Sequence, residues 1–281
     1  VQGFDASDPD KISFFSLREE WLGQVEWKQG RVKEGYGAMI DFLESECKKY
    51  GVEIILNTEV KSVEIEGEII HIQCADSSKY EGQKVIVSVP LSVIKQIKFQ
   101  PAIPEKLKAV ESIGFGQVIK FIIRFKDRWW LDALDKDMSK MVFMLCKGEI
   151  SAWWTQYPES YPVLTGWIAG PNAERLKNKT PEEILNLGLA SLSNIFKVNE
   201  EKIREKIVAY QVVNWPADTF IRGAYSYSMV GSEKAYAELR EPVDNKIFFA
   251  GEAVYKENET ATVEGALASG LEVVNKVLAA G

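Results

Sequence analysis

The sequence predicts a fold that mixes α+β and α/β features and contains two structurally different regions. Short apolar strands alternate with helix-like segments near both ends of the 281-residue chain, which favours a mixed sheet with a hairpin and helices. The middle of the chain holds a series of alternating strands and one strongly capped helix. That pattern favours an antiparallel sheet covered by a helix.

The N-terminal part predicts a helix, a strand, a hairpin and a buried strand. Residues 35–51 place apolar side chains at helical spacing and end in glycine, which is typical of a helix stop. VEIILN, residues 52–57, predicts a strand, and residues 60–74 predict a hairpin that turns at Gly67. KVIVSVP, residues 84–90, is a continuous apolar run, which predicts a strand buried on both faces.

The middle region predicts further strands and the best-marked helix. In QVIKFIIRF, residues 117–125, one face is wholly apolar and the other carries Lys120. KMVFMLC, SAWWTQY, VLTGWIAG and KIVAYQVVNW read as further strands. Residues 180–197 predict a helix that Thr180 caps, with Glu183 completing a capping box.

The C-terminal part predicts a strand, a polar loop and a helix. IFFAGE, residues 247–252, ends an apolar strand in Gly-Glu. The following helix has a stripe of small residues and a bulky stripe formed by Leu267, Leu271, Val274 and Leu278. Such a junction lets a ligand approach the backbone, and the helix N-terminus offers free N–H groups. Tight packing of the strand on the helix is the alternative explanation.

Composition and charge restrict the partners. Apolar residues make up 46% and charged residues 27%, as in an ordinary globular protein, and no apolar run approaches the roughly 18 residues of a membrane span. The net charge of −7 argues against nucleic acid as the main partner and is compatible with a cationic small molecule. The chain begins with Val1 and has no signal-peptide pattern, so we expect it to be part of a longer protein.

Cysteine and histidine usage restricts the chemistry. Cys47, Cys74 and Cys146 are widely spaced and odd in number, which predicts free thiols in a reducing compartment and hence a cytoplasmic location. His71 is the single histidine, which excludes multi-histidine metal sites and disfavours a histidine-based triad. We therefore expect no metal, and chemistry from Lys, carboxylates, Tyr or a cofactor.

Four stretches, in the same order along the chain, resemble the flavin-containing amine oxidases, which include monoamine, polyamine and histone-lysine oxidases. Together they span about residue 30 to the C-terminus. They are EIILNTEVKSVEIEGEII with KVIVSVPLSVIK, then PAIPEKLKAVESIGFGQVIKFIIRFKDRWW, then NWPADTFIRGAYSYSMVGS, and last IFFAGEAV followed by ATVEGALASGLEVVNKVL.

One feature of that family is missing. The GxGxxG fingerprint, which rests the cofactor pyrophosphate on a helix N-terminus, does not occur in the sequence, and GYGAMI and GFGQVI keep only its first two glycines. The resemblance therefore implies an incomplete FAD-binding domain at residues 31–95 and 216–281. It implies a substrate domain at residues 96–215, with residues 1–30 as an N-terminal segment of that domain.

Lys120 matches the family's active-site lysine, and the resemblance implies that its ammonium holds a water beside the flavin N5. A strand lysine usually faces solvent. Here Val118 and Ile122 share its face and the opposite face is apolar, so partial burial is plausible, and burial lowers a lysine pKa.

Other matched positions form the expected cofactor and substrate contacts. Tyr225 and Thr262 match the two walls of a slot that admits a neutral amine, and Trp154 matches a substrate-cavity tryptophan; ordinary packing is the alternative for Tyr225 and Trp154. Threonine at this wall resembles the polyamine and histone-lysine oxidases, because monoamine oxidases have tyrosine there. Ala224 replaces the cysteine that tethers the flavin in monoamine oxidases, which implies non-covalent FAD. The cofactor contacts fall on Val60, Val89, Trp215, Phe220, Tyr225, Gly251, Glu252, Ala261, Thr262 and Val263.

The resemblance implies an FAD-dependent oxidation of a small-molecule amine. A hydride passes to the flavin, the imine hydrolyses, and O2 reoxidises the flavin to give peroxide. Two alternatives stay open. The chain is a non-catalytic fragment or degenerate binding module without flavin, or it belongs to a flavin oxidoreductase that acts on carotenoid or porphyrin precursors. Lys120 together with Tyr225 favours an amine over those precursors.

Overall fold

The computed structural model describes residues 3, 6–22, 32–255 and 260–280. Helix α1 spans Phe14–Leu22 and helix α2 spans Tyr36–Lys49. The predicted helix at α2 is confirmed, although none of its residues is buried. No helix among the described residues is long and apolar enough to cross a membrane.

The predicted hairpin is confirmed and belongs to a four-stranded sheet. Its turn contains Gly67 at φ +59°, a left-handed conformation that glycine adopts without penalty. The elements of this part are β1 (Val60–Glu66), β2 (Ile69–Cys74), β3 (Lys79–Gly82), β4 (Val85–Val87), α3 (Leu91–Ile94), β5 (Lys98–Gln100) and α4 (Pro104–Glu111). The hairpin strands β1 and β2 pair antiparallel, β3 extends them, and β5 pairs in parallel with β1, giving the order β3-β2-β1-β5.

The strand predicted at residues 52–57 is wrong. This segment pairs with no described strand, and Ile54, Ile55 and Leu56 are exposed. Apolar, β-branched composition favours a strand locally, but a strand also needs a partner edge, and no described strand provides one.

The middle of the chain forms the predicted antiparallel sheet. The elements are β6 (Gly114–Phe115), β7 (Val118–Phe125), β8 (Phe143–Leu145), β9 (Ala152–Trp154), β10 (Val163–Ala169), α5 (Pro171–Leu176), α6 (Pro181–Phe196), α7 (Glu200–Glu205) and β11 (Ile207–Asn214). The strand order is β11-β7-β10-β9-β8, and the central strand β7 lies between two long strands that protect its backbone on both edges. Short 3-10 turns cover Trp129–Leu131 and Trp215–Ala217.

The largest core lies between this sheet and α6. The apolar face of β7 is completely buried, as predicted, and packs with apolar residues of α6. The predicted capping box begins α6: the Glu183 N–H donates to Thr180 Oγ1 at 3.2 Å, and the Thr180 N–H donates to Glu183 Oε2 at 2.8 Å. Both bonds satisfy donors that a helix N-terminus otherwise leaves without partners.

The last elements are β12 (Ser226–Tyr227), α8 (Glu233–Arg240), β13 (Ile247–Phe249) and α9 (Val263–Ala279). β12 pairs with β6, and β13 pairs in parallel with β4. The prediction that β4 is buried on both faces is wrong, because Ile86 is 41% exposed. Parallel strands are covered on both faces only when helices or further chain lie over them, and no described element covers Ile86.

Helix α9 packs on β13 through its small side chains. Gly265, Ser269 and Val273 are buried, and Val273 packs against Phe248 and Ala250. The bulky stripe predicted from the sequence lies on the opposite side and is exposed. The three cysteines are free thiols, as predicted.

Candidate active site

A cavity of about 220 Å³ lies at the carboxyl ends of the parallel strands β4 and β13. In open α/β sheets this edge is where ligands bind. Three residues with predicted cofactor contacts, Val89, Gly251 and Glu252, line the cavity together with Ala224 and other small residues. The structure therefore brings these three positions together.

Gly251 opens the backbone toward this cavity. Its φ is +133°, a conformation that residues with side chains rarely adopt, and no atom lies within 4 Å of the position that a Cβ would occupy. The Gly251 N–H donates to Ser269 Oγ of α9 at 2.8 Å. The small residues of α9 thus serve close packing of the helix against the strand end, and they leave the other side of Gly251 free.

Glu252 is a partly buried hydrogen-bond acceptor. Its Oε1 accepts from the Ser226 N–H at 3.1 Å, and its Oε2 accepts from Ser226 Oγ at 2.7 Å and from the Ala261 N–H at 3.0 Å. Burial raises the pKa of the carboxyl, and these hydrogen bonds oppose that rise.

Thr262 caps helix α9. Its Oγ1 accepts from the Gly265 N–H at 2.9 Å, so the hydroxyl already serves the helix and the methyl group remains as its apolar surface. Ala261, immediately before it, adopts a left-handed conformation with φ +66°. Val263 is the first residue of α9 and is exposed.

Lys120 lies in the middle of β7, opposite Trp167 of β10 and Val213 of β11. Its Nζ is 5.8 Å from the ring centroid of Trp154, within the range of a cation–π contact. Loss of hydration by burial lowers the pKa of this ammonium, in keeping with the effect expected from the sequence.

Aromatic side chains connect Lys120 to Tyr225 and Trp215. Trp154 contacts Trp167 with ring centroids 5.6 Å apart. Trp167 in turn packs with Tyr225 and Trp215 against a small cluster that includes Val118. The backbone of Tyr225 is fixed because its carbonyl accepts from the Gly116 N–H at 2.6 Å. The predicted lysine and three predicted aromatic residues therefore occupy one region.

Apart from Val89, Gly251 and Glu252, none of the predicted site residues lines the cavity. Val60 begins β1 and packs against the core of that sheet, and it does not line the cavity. Phe220 is 60% exposed, in a turn held by the Asp218 carboxylate. Conversely, Ser226, Ser269 and Trp167 were not identified as site residues from the sequence.

The described residues fit part of a flavin site. Ala224, Ala250 and Ala266 keep the cavity walls short, and the open Gly251 backbone allows close approach of a flat group. The volume is below the roughly 300–1,000 Å³ of typical small-molecule sites. The cavity is therefore large enough for only part of a dinucleotide. Among the residues that the structure describes, no group of three or more His, Cys, Asp or Glu side chains could hold a metal ion.

A cavity at the carboxyl ends of parallel strands is typical of folds that bind a nucleotide cofactor. Residues 2–278 match the family described as flavin containing amine oxidoreductase, and the chain belongs to this family. Membership of this family implies FAD as the cofactor.

The similar proteins are named either as histone demethylases or as polyamine oxidases. Lysine-specific histone demethylase 2 of Homo sapiens is 28% identical over 92% of this chain and 32% of its own length. Lysine-specific histone demethylase 1 homolog 3 of Arabidopsis thaliana is 28% identical over 93% of this chain and 16% of its own length. Probable polyamine oxidase 4 of the same plant is 28% identical over 92% of this chain and 52% of its own length.

The fold is that of a solved putrescine oxidase. The wild-type enzyme bound to putrescine superimposes with a TM-score of 0.69 over 86% of this chain and 52% of that chain, at 20% sequence identity. The chain thus spans about half or less of the length of these relatives.

Proposed function

We propose that this chain supplies the substrate-facing surface and part of the flavin site of an amine oxidase that holds FAD non-covalently. The observation that carries the proposal is the position of Lys120. It is half-buried among tryptophans and takes part in none of the ion pairs found among the described residues. Burying an ammonium without a carboxylate is unfavourable for folding, so such a lysine indicates a functional role.

The side chains around Lys120 suit an amine substrate. When bound, the flavin supplies the two-electron chemistry of amine oxidation. The ammonium of Lys120 would donate hydrogen bonds to a water, and its lowered pKa eases proton exchange with that water. Trp154, Trp167 and Tyr225 form an apolar aromatic lining that excludes bulk water and accepts the alkyl part of an amine.

The substrate class follows from Thr262 and from the relatives. Thr262 has a smaller side chain than a tyrosine would have at this wall of the slot. Its hydroxyl is hydrogen-bonded to α9, so its methyl group is the part that faces the substrate. The similar proteins are named for histone lysine and for polyamines. We therefore propose a long alkylamine, either a polyamine or a lysine side chain, as the substrate.

The first experiment examines colour and activity of the complete protein that carries this chain. We expect a yellow protein whose FAD is released by acid, because Ala224 offers no thiol for a covalent bond. Peroxide should form with spermidine, spermine or a methyl-lysine peptide, and the preferred amine identifies the substrate class. A colourless complete protein would contradict the proposal.

A preparation of the 281-residue chain alone tests whether these residues suffice to bind the flavin. Because the cavity is smaller than a typical ligand site, the 281-residue chain alone should bind no FAD in equilibrium dialysis. Retention of flavin by the chain alone would show that the described residues suffice.

The second experiment tests Lys120 directly. Lys120→Met should slow reoxidation of the reduced flavin by O2 by about 10²-fold, because the variant cannot hold or protonate the water. Lys61→Met is the matched control, since Lys61 is a strand lysine whose ion pair with Glu59 is at the surface. Equal reoxidation rates in Lys120→Met and the parent would remove the assignment.

A further inference from the structure

We propose that Glu252 is a positioning residue, whose carboxylate fixes the backbone beside Tyr225 relative to the backbone beside Thr262. The inference rests on the proposed function in one respect, namely that Tyr225 and Thr262 form the two walls of the amine slot. The contacts that carry it do not depend on that assignment.

One carboxylate joins two segments that are far apart in the chain. Ser226 of β12 donates to it twice, through its N–H at 3.1 Å and its Oγ at 2.7 Å. Ala261 donates to it once, through its N–H at 3.0 Å. Tyr225 precedes Ser226 and Thr262 follows Ala261, so each proposed wall is one peptide unit from a donor to Glu252.

The Ala261 contact holds a strained backbone. A non-glycine residue with φ near +66° is disfavoured by contact of its Cβ with the neighbouring carbonyl, and it persists only when the surroundings impose it. Ala261, which donates its N–H to Glu252, directly precedes Thr262, the residue that caps α9. The carboxylate therefore fixes the Ala261 backbone, and that backbone sets the orientation of Thr262.

Glu252 is itself rigidly mounted. On one side, the Gly251 N–H is bonded to Ser269 of α9. On the other, Ala253 and Val254 are buried in the core that contains β4 and β13. A carboxylate held at its own backbone can transmit that position to both donors, which a side chain on a free loop could not.

Glu252→Gln should break one of the two backbone contacts of Glu252 while keeping the size of the side chain. Both backbone donors need an oxygen acceptor, and an amide offers one oxygen and one NH2 group. Whichever way the Gln side chain turns, either the Ser226 N–H or the Ala261 N–H faces another donor. One of the two segments is therefore released while the side chain still fills the site.

Hydrogen exchange in the complete protein measures this release. In Glu252→Gln, amide exchange in residues 224–228 or 260–265 should rise by at least about tenfold, because a hydrogen bond to a charged acceptor is lost. Ser226→Ala is the matched control, since it removes only the Oγ bond and leaves both N–H bonds. It should change exchange in residues 260–265 by less than about twofold. Unchanged exchange in both segments of Glu252→Gln would overturn the proposal.

A second variant distinguishes positioning from general loss of stability. Ala261→Gly removes the penalty for the left-handed backbone, so the turn no longer depends on the carboxylate. Where Glu252→Gln raises exchange in residues 260–265, adding Ala261→Gly should recover at least about fivefold of the lost protection there. No recovery in that case would mean that Glu252 does not hold this turn.

The flavin half-reactions connect the contacts to the slot. In the flavin-loaded complete protein, Glu252→Gln should slow reduction of the flavin by the amine by about tenfold or more, because misplaced walls misalign the substrate. An unchanged rate of flavin reduction by the amine would overturn the positioning role. If the complete protein oxidised no amine, the exchange experiment would still decide the Glu252 contacts, so the two proposals fail separately.

Discussion

Lys120 sits where its charge is unfavourable, and that links its titration to folding stability. Burial lowers the pKa of Lys120 below its ordinary value of 10.5. Between the folded-state pKa and 10.5 the unfolded chain binds more protons than the folded chain. The free energy of unfolding therefore rises with pH in that window and levels off above it.

Lys120→Met should reveal this dependence. The variant has no titratable group at that position. The unfolding free energy of the parent should therefore increase relative to that of Lys120→Met as pH increases toward 10.5. Urea unfolding at several pH values between 7 and 10 measures the difference. Ile122→Met, on the same face of β7, is the uncharged control and should follow the parent at a constant offset. A pH-independent gap between the parent and Lys120→Met would contradict the lowered pKa.

Among the secondary-structure elements, the sheet and helix α6 meet through two glycines that make room for one aromatic ring. A Cβ on Gly166 of β10 or on Gly188 of α6 would lie closer than 3.0 Å to the side chain of Phe121. Phe121 is completely buried and contacts Trp153 edge-on, with ring centroids 5.1 Å apart. The ring is therefore closely surrounded by the sheet and α6.

Gly166→Ala should destabilise the chain by about 1–3 kcal/mol, because an added methyl group forces the packed core apart. Gly270→Ala is the matched control. Gly270 lies inside α9 with no atom within 4 Å of the added Cβ, so alanine should stabilise by about 0.5–1 kcal/mol through helix propensity. Chemical denaturation of both variants gives the two signs, and a neutral Gly166→Ala would show that the Phe121 ring can yield.

Elements were predictable from the sequence where local chemistry decides them. Thr180 and Glu183 mark the start of α6, because they bond to each other and lie only three residues apart in the chain. Helices α4 and α8 were not predicted, because they are short and charged and are stabilised by packing against each other, with Ala109 and Leu239 buried in one cluster. Each of the two helices therefore depends on a partner that is more than 120 residues away in the chain.

The candidate site divides in the same way. Gly251 and Glu252 were found because a glycine and a carboxylate ending an apolar strand form a local pattern. The roles of Ser226 and Ser269 could not be found, since each depends on a hydrogen bond to a residue distant in the chain. Lys120 shows the mixed case, because strand alternation placed it on one face of β7 but only the tertiary packing of Trp154 and Trp167 explains its burial.

Over the whole molecule, helix α9 presents an apolar face to solvent. Leu267, Leu271, Val274 and Leu278 are 46%, 72%, 47% and 74% exposed, at spacings that put them on one side of the helix. The sequence pattern correctly grouped these residues. Their exposure follows from the three-dimensional arrangement, because the opposite face of α9 supplies the close contact with β13. Contiguous exposed apolar surface of this kind favours association between molecules.

Leu271→Lys with Leu278→Lys should reduce self-association of the 281-residue chain and leave its stability nearly unchanged. Both side chains are more than two-thirds exposed, so their replacement loses little packing and should alter the unfolding free energy by about 0.5 kcal/mol or less. Lysine near the helix C-terminus is also favourable toward the helix dipole. Sedimentation velocity across a concentration series measures association, and thermal unfolding measures stability. Val273→Lys is the contrasting control. Val273 lies on the buried side of α9 and packs against Phe248, so a lysine there should lower the melting temperature sharply. A similar loss of stability in the double lysine variant would show that the stripe is covered within the monomer.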